Sequence, residues 1–227
     1  MSITLANLRT EVRRRADMET SQFVKDAELN SYINQSIAEL YDLLVQKFGN
    51  EYFFSTNTFN LVNGQAAYNL PTDFLKLLAV DIQLANGEFN TIKRFELNER
   101  NRYNSTILRG VYGSSWMRYH ITGNQIRFAP TPQSTELIQI FYVPRPTQLS
   151  SDSDTFDGYN GWEEYVIVDG AIKCGMKEET DVTALLVTKE SLKKRIEEAA
   201  GNRDANLSPR ITDTRRIEFE QGQDFWF

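Results

Sequence analysis

The chain has 227 residues, 41% of them hydrophobic and 12% aromatic, which is enough apolar side chain for a packed core and too much for a disordered chain. A net charge of −6 and a pI near 5.0 argue against a dedicated nucleic-acid binder, which normally carries a basic stripe, though not against a surface past which DNA moves without sticking.

No apolar run reaches the roughly 18 residues of a membrane span. The opening MSITLANLRTEVRRRAD lacks the apolar block of a signal peptide, and the single cysteine, Cys174, allows no internal disulfide. A reducing cytoplasm is the expected place of synthesis.

The first fifty residues predict two helices. Thr4 is placed to cap a short one with Leu5, Leu8, Val12 and Ala16 inward, and Arg13, Arg14 and Arg15 fall in its last turn, where cations suit the helix dipole. METSQF makes the turn. Asp26 then caps a longer helix in which Leu29, Tyr32, Ile33, Ile37, Leu40, Tyr41, Leu44 and Phe48 recur at three- and four-residue steps, and Gly49 ends it.

From Tyr52 to about Leu149 short strands alternate with turns. YFFSTNTFNLV runs into Asn63-Gly64 and LKLLAVDIQL into Asn86-Gly87, both hairpin signals because these residues tolerate positive φ. WMRYHIT and QIRFAP flank Gly123-Asn124 as a third hairpin, and ELIQIFYV is a strand ending at Pro144. The polar ELNERNRYNS predicts a short surface helix or an irregular loop.

Helix returns after Asp157, with Trp162, Tyr165, Val166, Asp169 and Ile172 or Lys173 on successive turns. Asp181 caps a last helix that carries Val182, Leu185, Leu186, Leu192, Ile196 and Ala199 on one side and a Glu190–Lys194 pair on the other. Periodicity stops at Asn202. The order predicts an α+β fold: a four-helix bundle made of N-terminal (1–50) and C-terminal (155–202) helical hairpins, an inserted antiparallel β domain (51–154) and an extended C-terminal arm (203–227).

Chemistry-bearing motifs are sparse. His120 is the only histidine and no serine stands in a nucleophile elbow; Cys174 lies in an apolar helix with nothing basic placed to activate it. One sulfur and one imidazole are too few for zinc. DSDTFDGYNGWE, Asp152 to Glu163, imitates a calcium loop at its first, third and twelfth positions, but Phe156 occupies the fifth and the turn glycine has slipped to Gly158. The same residues read as a linker and helix cap. Glu163 and Glu164 are adjacent and so point apart on a helix, and LRGVYGSS lacks the lysine-serine/threonine ending of a phosphate loop. No catalytic residue, cofactor or metal is expected. KRFELNERNRYNS mixes Lys93, Arg94, Arg100 and Arg102 with Phe95 and Tyr103, as single-strand binders do, but Glu96 and Glu99 interrupt it; a mixed-charge protein contact is the reading that fits.

Three stretches, LANLRTEVRRRADMETSQFVKDAELNSYINQSIAELYDLL, YNLPTDFLKLLAVDIQL and DTFDGYNGWEEYVIVDGAIKCGMKEE with its following helix, together resemble the head-to-tail adaptors of tailed bacteriophages, nearest the tail-tubular-protein-A-like type, over about residues 3 to 202. The resemblance implies a non-enzymatic virion protein, assembled in the host cytoplasm. Copies would form a ring, usually of twelve, between the portal protein and a tail or nozzle protein and continue the DNA channel. An acidic lumen suits such a conduit, because carboxylates repel phosphates and release no counterions on contact. A ring also needs two different adhesive faces on each copy. The competing reading is a phage-encoded protein that binds and inhibits a host factor as a monomer or dimer.

LSPRITDTRRIEFEQGQDFWF is then expected to be an arm that orders on a neighbouring copy, the portal or a tail protein. Phe225, Trp226 and Phe227 would anchor it, since aromatics concentrate binding energy in a few positions. Arg210, Arg215 and Arg216 would make charge-paired contacts, and Ile217 and Phe219, within RRIEFE, would add a strand to a partner sheet. Docking on its own subunit is the alternative.

Overall fold

In a computed structural model, residues 2–20, 23–103 and 116–201 are described. The chain begins with β1 (Ile3–Thr4) and α1 (Leu5–Arg15). Thr4 Oγ1 accepts the Asn7 N–H at 3.3 Å, the three arginines fall in the last turn, and Leu5, Leu8 and Val12 are buried, as the sequence predicts. α2 (Asp26–Phe48) buries Leu29, Ile33, Ile37, Leu40, Tyr41 and Leu44 of the expected stripe, leaves Tyr32 and Phe48 partly exposed, and ends at Gly49, whose φ of 90° explains the glycine. Its cap differs. Lys25 is the N-cap and offers no side-chain bond, while Asp26 is the first helical residue and pairs with Arg13 at 2.9 Å.

The strands are β2 (Ser55–Asn60), β3 (Ala67–Asn69), β4 (Phe74–Gln83), β5 (Phe89–Thr91), β6 (Lys93–Arg94), β7 (Arg118–Thr122), β8 (Gln125–Ala129), β9 (Leu137–Pro144) and β10 (Thr155–Phe156). They form sheets ordered β2-β9-β4-β5 and β3-β8-β7-β6 and a small ribbon, β1-β10. Asn86-Gly87 joins β4 to β5 and Gly123-Asn124 joins β7 to β8 as antiparallel hairpins, as predicted. Asn63-Gly64 does not make a hairpin: β2 pairs with β9 and β3 with β8, so this turn hands the chain from one sheet to the other. Leu97–Glu99 and α3 (Arg100–Tyr103) supply the short surface helix.

Val80, Ile82, Ile138, Ile140 and Tyr142 from the first sheet share a core with Tyr68, Ile126 and Phe128 from the second. Phe59 reaches across to stack on Tyr68 at 5.1 Å. Buried and less buried positions alternate over Gln125–Phe128 of β8 and Leu137–Tyr142 of β9, before the buried pairs Phe128–Ala129 and Tyr142–Val143 interrupt the pattern.

α4 (Gly158–Gly161), α5 (Glu163–Lys177) and α6 (Thr183–Gly201) complete the described chain. α5 is the most enclosed helix, buried from Tyr165 to Ile172 without a break. Gly170 permits that enclosure. A Cβ there would lie 3.1 Å from Val12 Cγ2 of α1. α6 buries Leu192 and Ile196 as expected, but Leu186 and Ala199 are exposed, and Glu190 sits 3.9 Å from Lys193 rather than pairing with Lys194.

This architecture is α+β, but it overturns the expectation of a four-helix bundle bearing an inserted β domain. The main body is β-rich, with ten strands in three sheets among the described residues. The expectation treats the helical hairpins as burying only one another. Strand pairing instead enters the helical segments themselves, where β1 meets β10 through Ile3–Phe156 and Thr4–Thr155. Helix and sheet are also tied directly. Tyr41 of α2 donates its hydroxyl to the Pro144 carbonyl at 2.5 Å, and its ring stacks on Phe53 at 4.5 Å within a cluster completed by Tyr159 and Phe156. Asn34 of α2 exchanges two hydrogen bonds with the backbone of Leu149, at 2.9 and 2.8 Å.

Candidate functional site

The residues singled out as an arm, Arg210, Arg215, Arg216, Ile217, Phe219, Phe225, Trp226 and Phe227, all lie outside the described residues. LRGVYGSS, residues 108–115, lies outside the described residues as well. The calcium-like loop, His120, Cys174 and most of the basic segment are placed, and Glu163 Oε2 is buried with no hydrogen-bond partner among the described residues.

The acids of the calcium-like loop point to different partners. Asp152 pairs with Arg9 at 2.6 Å. Asp154 accepts the backbone N–H groups of Ser150 and Ser151 at 2.7 and 2.8 Å, and the bonds from Ser151 and Ser150 hold its carboxyl below the ordinary pKa. Asp157 caps α4 through the Tyr159 N–H at 2.9 Å. Among the described residues, no three His, Cys, Asp or Glu side chains are grouped to hold a metal ion.

His120 and Cys174 sit in different parts of the fold. The imidazole Nδ1 lies 3.1 Å from the Phe95 carbonyl, and its ring packs on Phe95 at 5.4 Å. Burial pushes the Cys174 thiol up to about 11, away from a reactive thiolate. The basic segment does not present its aromatics to solvent as a stacking strip would. Phe95 is buried, and Tyr103 is half-buried with the guanidinium groups of Arg102 and Arg118 at 5.9 and 5.8 Å from its ring.

The strongest electrostatic feature lies between α2, α5 and α6. Asp169, 2% exposed, accepts Lys173 Nζ on one carboxylate oxygen and Lys189 Nζ on the other, both at 2.6 Å. Glu39 bridges the same two lysines at 2.8 and 3.1 Å, and Ser36 Oγ accepts Lys173 at 3.1 Å. Burial alone would raise the Asp169 pKa. The hydrogen bonds from Lys173, Lys189 and Ser36 outweigh burial and hold the carboxyl below its ordinary value. Burial likewise disfavours the charge on Lys189, and Asp169 with Glu39 more than reverses that effect. Two cations and two anions thus balance locally. This arrangement fixes three helices against one another. Asp169 is legible in the sequence as an odd charge in an apolar stripe, but its partner Lys189, 20 residues on, is not.

The surface bears a set of exposed apolar side chains that sequence reasoning misses. Phe23, Met176, Leu186 and Val187 belong to the end of the helical layer where α5 stops and α6 begins, and Phe54, Leu75 and Phe89 belong to the β-rich body. The periodicity assigns Leu186 to a buried stripe and places Phe23 in a turn, and the structure corrects the first. The available signal is that Val187 falls beside that stripe rather than on it.

No described helix is long and apolar enough to cross a membrane. A search of curated proteins returned no match. The model of the SU10 adaptor protein family, a family of structural phage head-tail adaptors rather than enzymes, matches residues 3–213, helices and strands alike. On that match the chain belongs to the SU10 adaptor protein family, a virion component that associates with other phage head and tail proteins.

Proposed function

We propose that copies of this chain, twelve in the type it resembles, close into a ring between the portal protein and the tail or nozzle protein and continue the DNA channel. The family match over residues 3–213 is the observation that carries this reading. The net charge of −6 supports it, since a lumen rich in carboxylates lets the genome pass without capture. So do the exposed apolar side chains on two different parts of one copy, because a closed ring uses unlike faces. In this reading the tail-tubular-protein-A-like type is the nearest relation, and assembly takes place in the host cytoplasm. Residues 1–50 with 155–202, residues 51–154 and residues 203–227 act as three units, the last of which orders on a partner through Arg210, Arg215, Arg216, Ile217, Phe219, Phe225, Trp226 and Phe227.

Deletion of residues 208–227 tests the role of the last unit. The expected outcome is an unchanged melting temperature for the isolated subunit together with failed assembly onto portal. A melting temperature lowered by several degrees would show the segment folding onto its own subunit, and undiminished assembly would remove it from the interface.

A further inference from the structure

The described residues bury two separate apolar cores. Leu8, Leu29, Ile33, Leu40, Val166 and Ile196 belong to one, between the helices, and Val80, Ile82, Ile126, Ile138 and Ile140 to the other, between the two larger sheets; no described residue belongs to both. The chain passes between the cores twice, and each time a few residues make the change. After α2, Tyr52 and Phe53 still pack against the helical core, Ser55 already pairs with Tyr142 of β9, and Phe54 between them is 60% exposed. After β9, Arg145 is held on the strand side, donating its N–H to the Asp73 carbonyl at 2.6 Å and its Nε–H to the Phe74 carbonyl at 3.1 Å. Leu149 is buried in the helical core and fixed by Asn34. Pro146, Thr147 and Gln148 lie between, the last two exposed. The two joints are neighbours: Ser55, Pro146, Thr147 and Gln148 line one open cleft of about 490 Å³. Joints side by side permit rotation about a single axis.

Polar bonds close the seam between the two cores. Tyr41 keeps its ring stacked on Phe53 in the helical layer and gives its hydroxyl to the Pro144 carbonyl at the end of β9, and Lys76 Nζ of β4 donates to Asn50 Oδ1 at 2.8 Å. We propose that the β-rich body turns as a unit against the helical layer about Phe54 and residues 146–148, and that the Tyr41 hydroxyl, with Lys76, is the catch that holds the two at their present angle. In a hinge, a few residues at the ends of elements absorb the change in φ and ψ while the packed cores stay intact. Motion of this kind is the ordinary expectation where two cored units do not share a large apolar boundary. At these joints the exposed Phe54, Thr147 and Gln148 can move without drawing a buried side chain out of either core. The hinge stands whether or not copies close into a ring. In a ring it would let each copy keep its helical contacts while the β-rich body takes the slope of the partner it meets.

Pulsed electron–electron resonance on the full-length chain tests this. Spin labels at Glu190→Cys of α6 and Thr122→Cys of β7 report the distance between the two units, and labels at Glu190→Cys and Asn7→Cys report a distance within the helical layer. All three sites are exposed, and Cys174 is buried and stays unlabelled. Tyr41→Phe removes the hydroxyl and keeps the ring, while Pro146→Gly frees one joint and leaves both cores untouched. A second, turned distance between the units is expected, its population relative to the first rising about two- to tenfold in Tyr41→Phe, as the loss of one hydrogen bond allows. Pro146→Gly is expected to broaden the same distribution, with the internal distance unchanged in both variants. Distances between the units that stay as narrow as the internal one in all three chains overturn the proposal. So does equal broadening of the internal distance, which would mean loosened packing in place of a hinge. Broadening in Pro146→Gly alone refutes the catch, and broadening in Tyr41→Phe alone refutes the joint at Pro146.

Discussion

Asp169 shows how a single residue sets the helical layer. Its two lysines come from positions 173 and 189, so one carboxylate fixes α5 against α6, and Glu39 extends the hold to α2. Replacing Asp169 with Ala leaves two lysines over one half-exposed glutamate, a loss expected to cost about 3–5 kcal/mol because a buried charge is stranded. Chemical unfolding would read it as a lower midpoint with an unchanged slope. The pH dependence follows from the two shifted groups. The Asp169 carboxyl titrates below its ordinary 3.8, so its contribution is present above that value and is lost as pH falls through the folded pKa. Lys189 titrates above its ordinary 10.5, so its contribution is full below 10.5 and is lost as pH rises through the folded pKa. The stability gap between the native chain and Asp169→Asn is therefore expected to be level from about pH 5 to 9 and to narrow below about pH 4. A gap that stays constant into acid would mean that the carboxylate is not the anchoring charge.

Among the elements, β9 organises the first sheet. It lies between β2 and β4, with Ile138 and Ile140 wholly buried and Phe141 on the opposite face half-exposed. Ile140→Ala is expected to cost about 2–5 kcal/mol, and Phe141→Ala clearly less, measured by the same unfolding midpoints. The reverse order would place the core on the wrong face of the sheet. β9 is legible in the sequence because a short β-branched and aromatic run ending at a proline leaves little choice of element. α2 is legible because its apolar steps run unbroken from Leu29 through Leu40 and Leu44 to Phe48. The two-residue β6, paired parallel to β7, and β1, whose partner strand β10 begins only at Thr155, have no local pattern at all. Asn63-Gly64 misleads because a turn dipeptide fixes the bend of the chain, not which sheet receives it.

For the whole molecule, element order and motif resemblance point to the adaptor family, and the family match agrees. The relative weight of helix and sheet does not follow from element order. It depends on long-range pairing, on Tyr41 reaching Pro144 and on Asn34 reaching Leu149, none of which leaves a periodic trace. The proposed contact residues are partly legible. Aromatics at Phe225 to Phe227 stand out in a polar stretch, while the apolar surface at Phe23, Met176, Leu186 and Val187 emerges only when α5 and α6 are placed side by side.

Mass photometry of the purified chain, alone and with portal rings, tests the central claim most directly. A ring-sized particle, or stoichiometric recruitment to portal, is expected. A chain that stays a monomer or dimer at all concentrations and ignores portal would contradict the adaptor role and match a host-directed inhibitor instead.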